Sequence, residues 1–258
     1  MRPVILAFIA WLGVATSAAA HEAPRMEVEG TEFVVTLGDG RVMRSRELAG
    51  TVIDVRFAGQ PMRLRIANVE PDPQDRTGTV WLHTFETPAA DGGWRNFCTA
   101  GPDGRRQGFP LAGGPDGVEL SCTAGAIAKC VRFGYRRWTT SADGAALAPL
   151  HAACVRMVRG DYGGAGEAFT ENGQKIDVYD DAGLQKADLD PAQTFEAGWN
   201  EHGAVCVHHM RVAGKLAPGE LEKRFPRLRG RVGMACTEAF ARAHGATVFN
   251  RSADTSAP

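Results

Sequence analysis

The sequence predicts an α+β fold, with an N-terminal antiparallel β unit followed by a disulfide-stapled α/β core. Residues 25–122 contain short runs in which apolar and polar residues alternate, separated by turn-forming Gly and Asp. From Thr123 onward, apolar residues recur at helical spacing instead. Six cysteines all lie beyond the N-terminal apolar segment, and an even number is typical of a disulfide framework.

The first twenty residues have the pattern of a bacterial secretory signal peptide. Arg2 precedes an apolar run over residues 4–15, and alanines at 18–20 supply the small residues of a cleavage site. The run is shorter than the ~20 residues that span a bilayer. The sequence therefore predicts a signal peptide over residues 1–20, export to the periplasm or the extracellular space, and no membrane span after cleavage.

The charge balance argues against some classes of partner. Lys and Arg number 29 against 30 Asp and Glu, which gives a net charge of −1, and the two signs are mixed along the chain. Such a chain gives no electrostatic reason to expect nucleic acid or an acidic membrane surface as partner. Residues 25–122 contain no phosphate loop or nucleophile elbow, and no cofactor is predicted for the chain.

The strongest strand signals lie in the β-rich front region. Residues 51–57 place Ile53, Val55 and Phe57 on one face, and residues 62–66 alternate apolar and charged side chains. A short turn-like connection between the two segments predicts an antiparallel hairpin with one buried face. Further strands are expected at residues 32–37, 41–43, 79–85, 94–98 and 118–122.

Two short helices are predicted at the start of the core. The first carries Cys130 and ends at Gly134. The second begins at Pro149, carries Cys154 and ends at Gly160. Helices joined by a short connection tend to pack together, which gives a geometric motive for pairing the two cysteines.

The cysteines predict up to three structural disulfides in an oxidising compartment. Six cysteines allow many pairings, and the sequence alone does not select one. The C-x-x-C spacing that zinc sites and thiol exchange favour is absent. The six residues are Cys98, Cys122, Cys130, Cys154, Cys206 and Cys236.

The α/β core is expected to span residues 123–250 and to include a C-terminal helix. Its later elements are predicted as a buried strand at 204–208, a helix from Pro218 that ends before Pro226, a helix over 232–244 and an edge strand at 247–249. Residues 251–258 are predicted to be a disordered tail.

Three stretches of the core read AIAKCVRFGYRRW, LHAACVRMVRGDYGG and TENGQKIDVYDDAG. They resemble the ADYC-domain family of exported bacterial proteins, named for an Ala-Asp-Tyr-Cys tetrad. The resemblance is close from about Cys122 to Gly183 and continues more loosely to about Arg211. The biochemical function of that family is not established, so the resemblance implies no catalytic residues.

The chain departs from the family pattern at two positions where the resemblance implies cysteine. Gly163 replaces the cysteine of the tetrad, and Phe225 stands at the second position. Loss of both members of one disulfide would keep the number of cysteines even. The resemblance therefore implies that positions 163 and 225 are neighbours in space. Arg137 also stands where the family tends to have proline, which affects the rigidity of that turn.

The candidate catalytic residues are His151, Asp161 and Tyr162. His151 lies near a helix start and could act as a general base, and Asp161 follows a helix stop in a glycine-rich loop. The structural alternative is that the carboxylate bonds nearby backbone amides while the Tyr162 ring packs. We favour that alternative because no nucleophile lies nearby in the sequence.

A run of aromatic and cationic residues is the best candidate binding group. Tyr135, Arg136, Arg137 and Trp138 could anchor a sugar, an anion or a protein if they are exposed. Equally, they could form an Arg–aromatic stack that closes the end of the first helix. The sequence leaves both interpretations open.

Three aspartates are weak candidates for calcium ligands. Asp177, Asp180 and Asp181 lie in an oxygen-rich stretch, and calcium is abundant outside cells. The spacing of an EF-hand is absent, and Asp-rich turns are commonly just solvated, so no metal is predicted.

The functional prediction is an exported, non-catalytic domain, stabilised by disulfides, that binds an unknown extracytoplasmic ligand or protein or associates with the envelope. The alternative is an exported hydrolase of unrecognised type that uses His151, Asp161 and Tyr162. The sequence leaves open whether the protein is an enzyme.

Overall fold

The computed structural model describes residues 23–254, apart from residues 58, 102, 114–116 and 213. The signal peptide predicted over residues 1–20 lies outside the described residues. The described chain has more strand than helix, with four short α-helices, which agrees with the predicted α+β class. Every helix in this part of the chain is too short or too polar to cross a bilayer.

A three-stranded antiparallel sheet comes first. Its strands are β1 (Arg25–Glu29), β2 (Glu32–Thr36) and β3 (Val42–Arg44). Gly30 takes a φ of 61° in the two-residue turn between β1 and β2, a conformation that favours glycine. Phe33 is fully buried and packs with Leu64 and Ile66 of the next sheet.

A six-stranded antiparallel sheet follows. Its strands are β4 (Val52–Phe57), β5 (Gln60–Pro71), β6 (Trp81–Pro88), β7 (Trp94–Asn96), β8 (Gly108–Ala112) and β9 (Val118–Cys122). They lie in the order β4-β5-β6-β8-β9, and β7 pairs with β6. The predicted hairpin is β4–β5, with Val52 opposite Arg65. Strand β5 continues to Pro71 because it also pairs with β6.

The two predicted helices are α1 (Ala126–Arg132) and α2 (Ala148–Arg159). Pro149 lies in the first turn of α2, and Gly160, with a φ of 61°, ends it.

Helix α1 packs on the six-stranded sheet. Its Ala128 and Val131 are fully buried in one cluster with Leu82 and Phe109 of that sheet. The sequence predicts a boundary between the β-rich region and the core at residues 122–123. This hydrophobic cluster contains residues from both sides of that boundary.

A four-stranded antiparallel sheet packs against α2. Its strands are β10 (Ile176–Asp180), β11 (Thr194–Asn200), β12 (Gly203–Val207) and β13 (Val248–Ser252). The order is β10-β13-β11-β12, so β13 is an inner strand and not the predicted edge strand. Arg251 and Ser252 belong to β13 and Ser252 is fully buried, which corrects the start of the predicted tail. Residues 255–258 of that tail lie outside the described chain.

The C-terminal part contains short helices. They are α3 (Pro218–Arg224), two 3-10 turns (Pro226–Leu228 and Gly233–Ala235) and α4 (Glu238–Ala243). The single helix predicted over residues 232–244 is therefore wrong. Gly233 has a φ of 75°, Cys236 is extended within a disulfide, and the Thr237 hydroxyl caps a new helix by accepting the Phe240 N–H.

Three disulfides stabilise the fold. They join Cys98 to Cys122, Cys130 to Cys154, and Cys206 to Cys236, with Cα–Cα distances of 5.5, 5.8 and 5.4 Å. The second joins α1 to α2, as the geometric motive indicated. By the chain-entropy argument, loops of this length give each bond about 3–4 kcal/mol of stabilisation.

Positions 163 and 225 are neighbours, as the family resemblance implied. A Cβ placed on Gly163 would overlap the ring of Phe225. Gly163 is not among the glycines with positive φ, so the ring of Phe225, and not the backbone, is what keeps a side chain out of this position. The aromatic ring therefore fills the space beside a residue that has no side chain.

Candidate functional site

A cleft of about 500 Å³ lies between the three-stranded sheet and the residues before α2. One wall comes from the end of β1 and its turn, and the other from the connection between α1 and α2. The lining residues are Val28, Glu29, Gly30, Ala112, Arg137, Trp138 and Ala148. Two of them belong to the predicted binding group.

Trp138 is the main aromatic surface of the cleft. Its side chain is 37% exposed, which is unusual for so large an apolar group. A Cβ on Gly30 would lie 3.3 Å from the indole Nε1 and 3.4 Å from Cε2. The close approach of the β1–β2 turn holds the ring while leaving part of it open to solvent.

Arg137 is held in a defined position beside the indole. Its Nη2 donates to the Ala112 carbonyl at 2.7 Å, and its Nη1 lies 2.9 Å from Glu119 Oε2. Across the cleft, Glu29 is more than half exposed and pairs with Arg44 at 2.8 Å. The cleft therefore combines an aromatic face with one fixed cation and one accessible carboxylate.

The other two residues of the predicted group lie elsewhere. Tyr135 is fully buried, and its hydroxyl donates to Asp180 Oδ2 at 2.7 Å. Burial, reinforced by that carboxylate, raises the pKa of Tyr135. Arg136 reaches the loop before β6, where its Nη2 lies 2.6 Å from Asp75 Oδ1. Of the four predicted binding residues, Arg137 and Trp138 therefore line the cleft, whereas Tyr135 and Arg136 bind other parts of the protein.

The Asp75 loop is itself tightly organised. Burial acts to raise the pKa of Asp75, but donors from Thr77, Val80 and Thr79 outweigh it and lower the pKa to about 2. This carboxylate is therefore ionised at any physiological pH and remains a partner for Arg136.

The three candidate catalytic residues are buried, and each binds a different partner. His151 Nδ1 lies 2.8 Å from the Tyr135 carbonyl, and burial lowers the pKa of its ring. Asp161 is fully buried; its Oδ2 accepts from Arg156 and, at 2.9 Å, from the Gly166 N–H. One oxygen of Asp161, Oδ1, has no hydrogen-bond partner among the described residues.

Tyr162 belongs to a fully buried polar network. Its hydroxyl donates to Glu196 Oε1 at 2.9 Å, and the same carboxylate receives Arg211 Nη2 at 2.7 Å and Asn250 Nδ2 at 2.7 Å. The Tyr162 ring stacks on Trp199 at 5.2 Å between centroids. Burial acts to raise the pKa of Glu196, but Arg211 outweighs it and the pKa is lowered.

Sequence reasoning missed this network, because Glu196 and Arg211 lie 15 residues apart without a recognisable motif. Its members come from the loop after α2, from β11, from β13 and from the residues after β12. Every carboxylate oxygen is satisfied, which is the arrangement of a structural ion pair.

The candidate calcium ligands bind protein groups. Asp180 accepts from Tyr135 and from the Gln185 N–H at 2.7 Å, while Asp181 pairs with Arg242. Asp177 is buried, and its Oδ1 accepts the Asp188 N–H at 3.0 Å. Within the described chain, no group of three or more His, Cys, Asp or Glu side chains is arranged to hold a metal ion.

A second groove, of about 480 Å³, lies between α1, the end of α2 and residues 168–176. Two of the cations that line this groove already have partners. Arg159 Nη2 donates to the Gly166 carbonyl, and Lys175 Nζ lies 2.7 Å from Asp190 Oδ2. This groove has no exposed tryptophan, so the Trp138 cleft is the stronger candidate.

A basic surface segment also escaped the sequence reasoning. Residues 223–231 read KRFPRLRGR, with five cations and no acidic residue. A count of charge over the whole chain conceals this run, and a nine-residue window would have found it.

A family profile described as ADYC domain matches residues 45–213, which is well over half of the chain. No curated protein and no solved structure matches. The matched range includes the six-stranded sheet and β10–β12 but ends before β13, although β13 lies inside the same sheet as β10–β12.

Proposed function

This chain belongs to the ADYC-domain family, and from that premise we propose that it is an exported, non-catalytic domain that binds a saccharide in the Trp138 cleft. The observation that carries the proposal is the partly exposed indole of Trp138 beside the fixed guanidinium of Arg137. Binding sites typically combine aromatic walls with a few well-placed polar groups.

The chemistry of the cleft favours a sugar ring. The indole offers a flat apolar surface to the C–H face of a pyranose. The guanidinium of Arg137 supplies donors and the carboxylate of Glu29 supplies acceptors, so hydroxyl groups can be bonded from both sides. Neither group needs to become buried without a partner.

The disulfides support an extracytoplasmic location. Three disulfides among the described residues are typical of oxidising compartments and rare in the cytoplasm. The predicted signal peptide points the same way. We therefore place the ligand in the periplasm or outside the cell.

The burial of the candidate catalytic residues favours binding over hydrolysis. A hydrolase needs side chains that can reach a substrate in a concave site. Asp161 and Tyr162 are fully buried and His151 is nearly so, and their hydrogen bonds go to separate partners. We therefore prefer the non-catalytic function.

The test is calorimetric titration with N-acetylglucosamine oligomers and with oligosaccharides released from peptidoglycan. We expect Trp138→Ala to weaken binding at least tenfold, equivalent to about 1.4 kcal/mol, because the stacking surface is lost. Trp94→Ala is the matched control, since Trp94 is also partly exposed but does not line the cleft.

Three outcomes would contradict the proposal. Equal binding by the wild type and Trp138→Ala would exclude the cleft, and no binding of any saccharide would exclude the ligand class. Turnover of a saccharide that is lost in Asp161→Asn would favour the hydrolase instead.

A further inference from the structure

The segment from Lys223 to Met234 combines a run of cations with one exposed apolar side chain. Five of the nine residues from 223 to 231 are Lys or Arg. They lie on the end of α3, on the 3-10 turn that follows, and on the chain leading to the turn at Gly233–Ala235. None of these cations lines the Trp138 cleft.

Most of this positive charge is not neutralised by neighbouring acids. Arg224 pairs with Glu167 at 2.7 Å. Lys223 and Arg229 are exposed and form no ion pair with any described residue. The acid that directly precedes the run, Glu222, accepts the backbone N–H of Gly230 through its Oε1 at 3.0 Å and forms no ion pair with a described cation.

The remaining two arginines are fixed by uncharged partners. Arg227 Nη1 donates to the His202 carbonyl, and Arg231 lies 5.9 Å from the centroid of the Phe240 ring. Burial lowers the pKa of Arg227, and repulsion from Arg231 and Arg156 lowers it further, partly offset by Asp161. An anionic partner near these arginines would relieve that repulsion.

Met234 gives this basic surface an exposed apolar side chain. It is 84% exposed, the most exposed of the large hydrophobic residues described. Met234 lies five positions after Arg229 in the chain, so the two Cα atoms lie within about 18 Å of each other. The disulfide at Cys236 ties the turn that carries Met234 to β12.

We propose that residues 223–234 form a docking surface for an anionic lipid bilayer. Lipid phosphate groups would contact Lys223, Arg227, Arg229 and Arg231, while Met234 enters the boundary between headgroups and acyl chains. A soluble anion would offer no apolar phase for Met234, so the combination favours a membrane surface. This inference is independent of the Trp138 cleft, and it refines the charge argument from the sequence, which considered only the overall balance.

The test is co-sedimentation of the exported chain, without the signal peptide predicted over residues 1–20, with vesicles. Vesicles of phosphatidylcholine mixed with phosphatidylglycerol should bind the protein, and vesicles of phosphatidylcholine alone should bind it weakly. Each cation near an anionic surface contributes about fivefold in affinity. Lys223→Glu with Arg229→Glu should therefore weaken binding at least 20-fold by about two such factors. Met234→Ser should weaken it less, and added salt should weaken it in the wild type.

The matched control is Arg76→Glu with Arg95→Glu. These two arginines are also exposed and form no ion pair with a described residue, so the control makes the same change in net charge at another place. It should keep most of the binding. Thermal unfolding of each variant checks that the fold is intact.

Three results would overturn the proposal. The control could lose as much affinity as the test variant, which would mean that only net charge matters. Neutral and anionic vesicles could bind equally. Finally, the protein could ignore vesicles but bind inositol hexakisphosphate, which would assign the surface to a soluble phosphate ligand.

Discussion

At the scale of single residues, the fold depends on polar side chains buried with their partners. Glu196 and Arg211 are both fully buried, and Tyr162 and Asn250 complete their hydrogen bonds. Removal of one member of such a pair leaves an unpaired buried charge, which typically costs about 3–5 kcal/mol. Tyr162 therefore packs and forms hydrogen bonds in the centre of the molecule.

His83 is a second buried polar residue, in the six-stranded sheet. Its Nε2 lies 2.7 Å from Ser45 Oγ, which accepts the Phe33 N–H, and its ring stacks on Phe85 at 5.2 Å. Burial lowers the pKa of His83 from 6.5 to about 4, although contacts with the backbone of Trp81 and Gly108 oppose the shift. The folded state therefore keeps this ring neutral under mildly acidic conditions.

We predict that His83 makes the protein less stable as pH falls from about 6.5 to 4. In this window the unfolded state binds a proton that the folded state does not, so stability rises with pH and falls on acidification. The contribution lost by pH 4 is about 3 kcal/mol. Urea unfolding of the wild type and His83→Gln at several pH values measures it.

Between pH 6.5 and 4, the free energy of unfolding of His83→Gln should fall by about 3 kcal/mol less than that of the wild type. His151 and His209 also have pKa values lowered by burial, but they remain in both proteins, so the difference isolates His83. Parallel pH curves for the two proteins would contradict this prediction.

At the scale of elements, the loop after α2 packs directly on α3 through Gly163 and Phe225. The ring of Phe225 occupies the space beside Gly163 and meets Phe169 at a centroid distance of 6.2 Å. The packing of this aromatic ring against a glycine holds the loop beside α3. A disulfide between the same two positions would hold them together covalently.

We predict that Gly163→Cys with Phe225→Cys forms a fourth disulfide. The two positions are in contact, and the φ of Gly163 does not require glycine. Mass spectrometry under non-reducing conditions should find no free thiol. Each single substitution should destabilise the protein, by overpacking of about 1–3 kcal/mol for Gly163→Cys and by a cavity for Phe225→Cys.

The control pairs Gly166→Cys with Phe225→Cys. Gly166 lies in the same loop, but a Cβ placed there meets no atom within 4 Å. This second pair should keep two free thiols. A failure of the first pair to close would mean that the contact between positions 163 and 225 is not retained in solution.

At the scale of the whole molecule, the six-stranded sheet and the helical core are joined by several kinds of contact. Arg132 Nε lies 2.7 Å from Asp72 Oδ2, and Arg136 lies 2.6 Å from Asp75. Both pairs are largely buried. Val131 of α1 is buried with Leu82 of β6, and α1 is in turn bonded to α2 by the second disulfide.

We predict that the exported chain unfolds in one cooperative transition with its disulfides intact. The six-stranded sheet and the helical core share a hydrophobic cluster, so unfolding of one would expose apolar surface of the other. Far-ultraviolet circular dichroism and tryptophan fluorescence should give the same midpoint in urea. Val131→Ala should lower that midpoint for both probes, whereas two separate transitions would show that the parts are independent domains.

Local patterns in the sequence predicted the elements whose ends are marked by local signals. The β4–β5 hairpin follows from strict alternation, and α1 and α2 follow from helical spacing with Gly134, Pro149 and Gly160 at their ends. The helix predicted over residues 232–244 was wrong because Gly233 and the disulfide of Cys236 interrupt a pattern that looks periodic.

The candidate site was only partly predictable. The run from Tyr135 to Trp138 contains the two cleft residues, Arg137 and Trp138, but also two that face the core. Neighbouring residues in a turn point in different directions, so the run cannot reveal which members share a surface. The opposite wall, at Glu29 and Gly30, lies more than a hundred residues earlier in the chain.

By itself, the sequence determined the α+β class, the family and the presence of a disulfide framework, because composition, short motifs and periodicity are local properties. The tertiary structure decided the disulfide pairing, the inner place of β13, the Glu196–Arg211 network and the cleft at Trp138. Each of these depends on contacts between residues far apart in the chain, and only the packing of the complete fold brings those residues together.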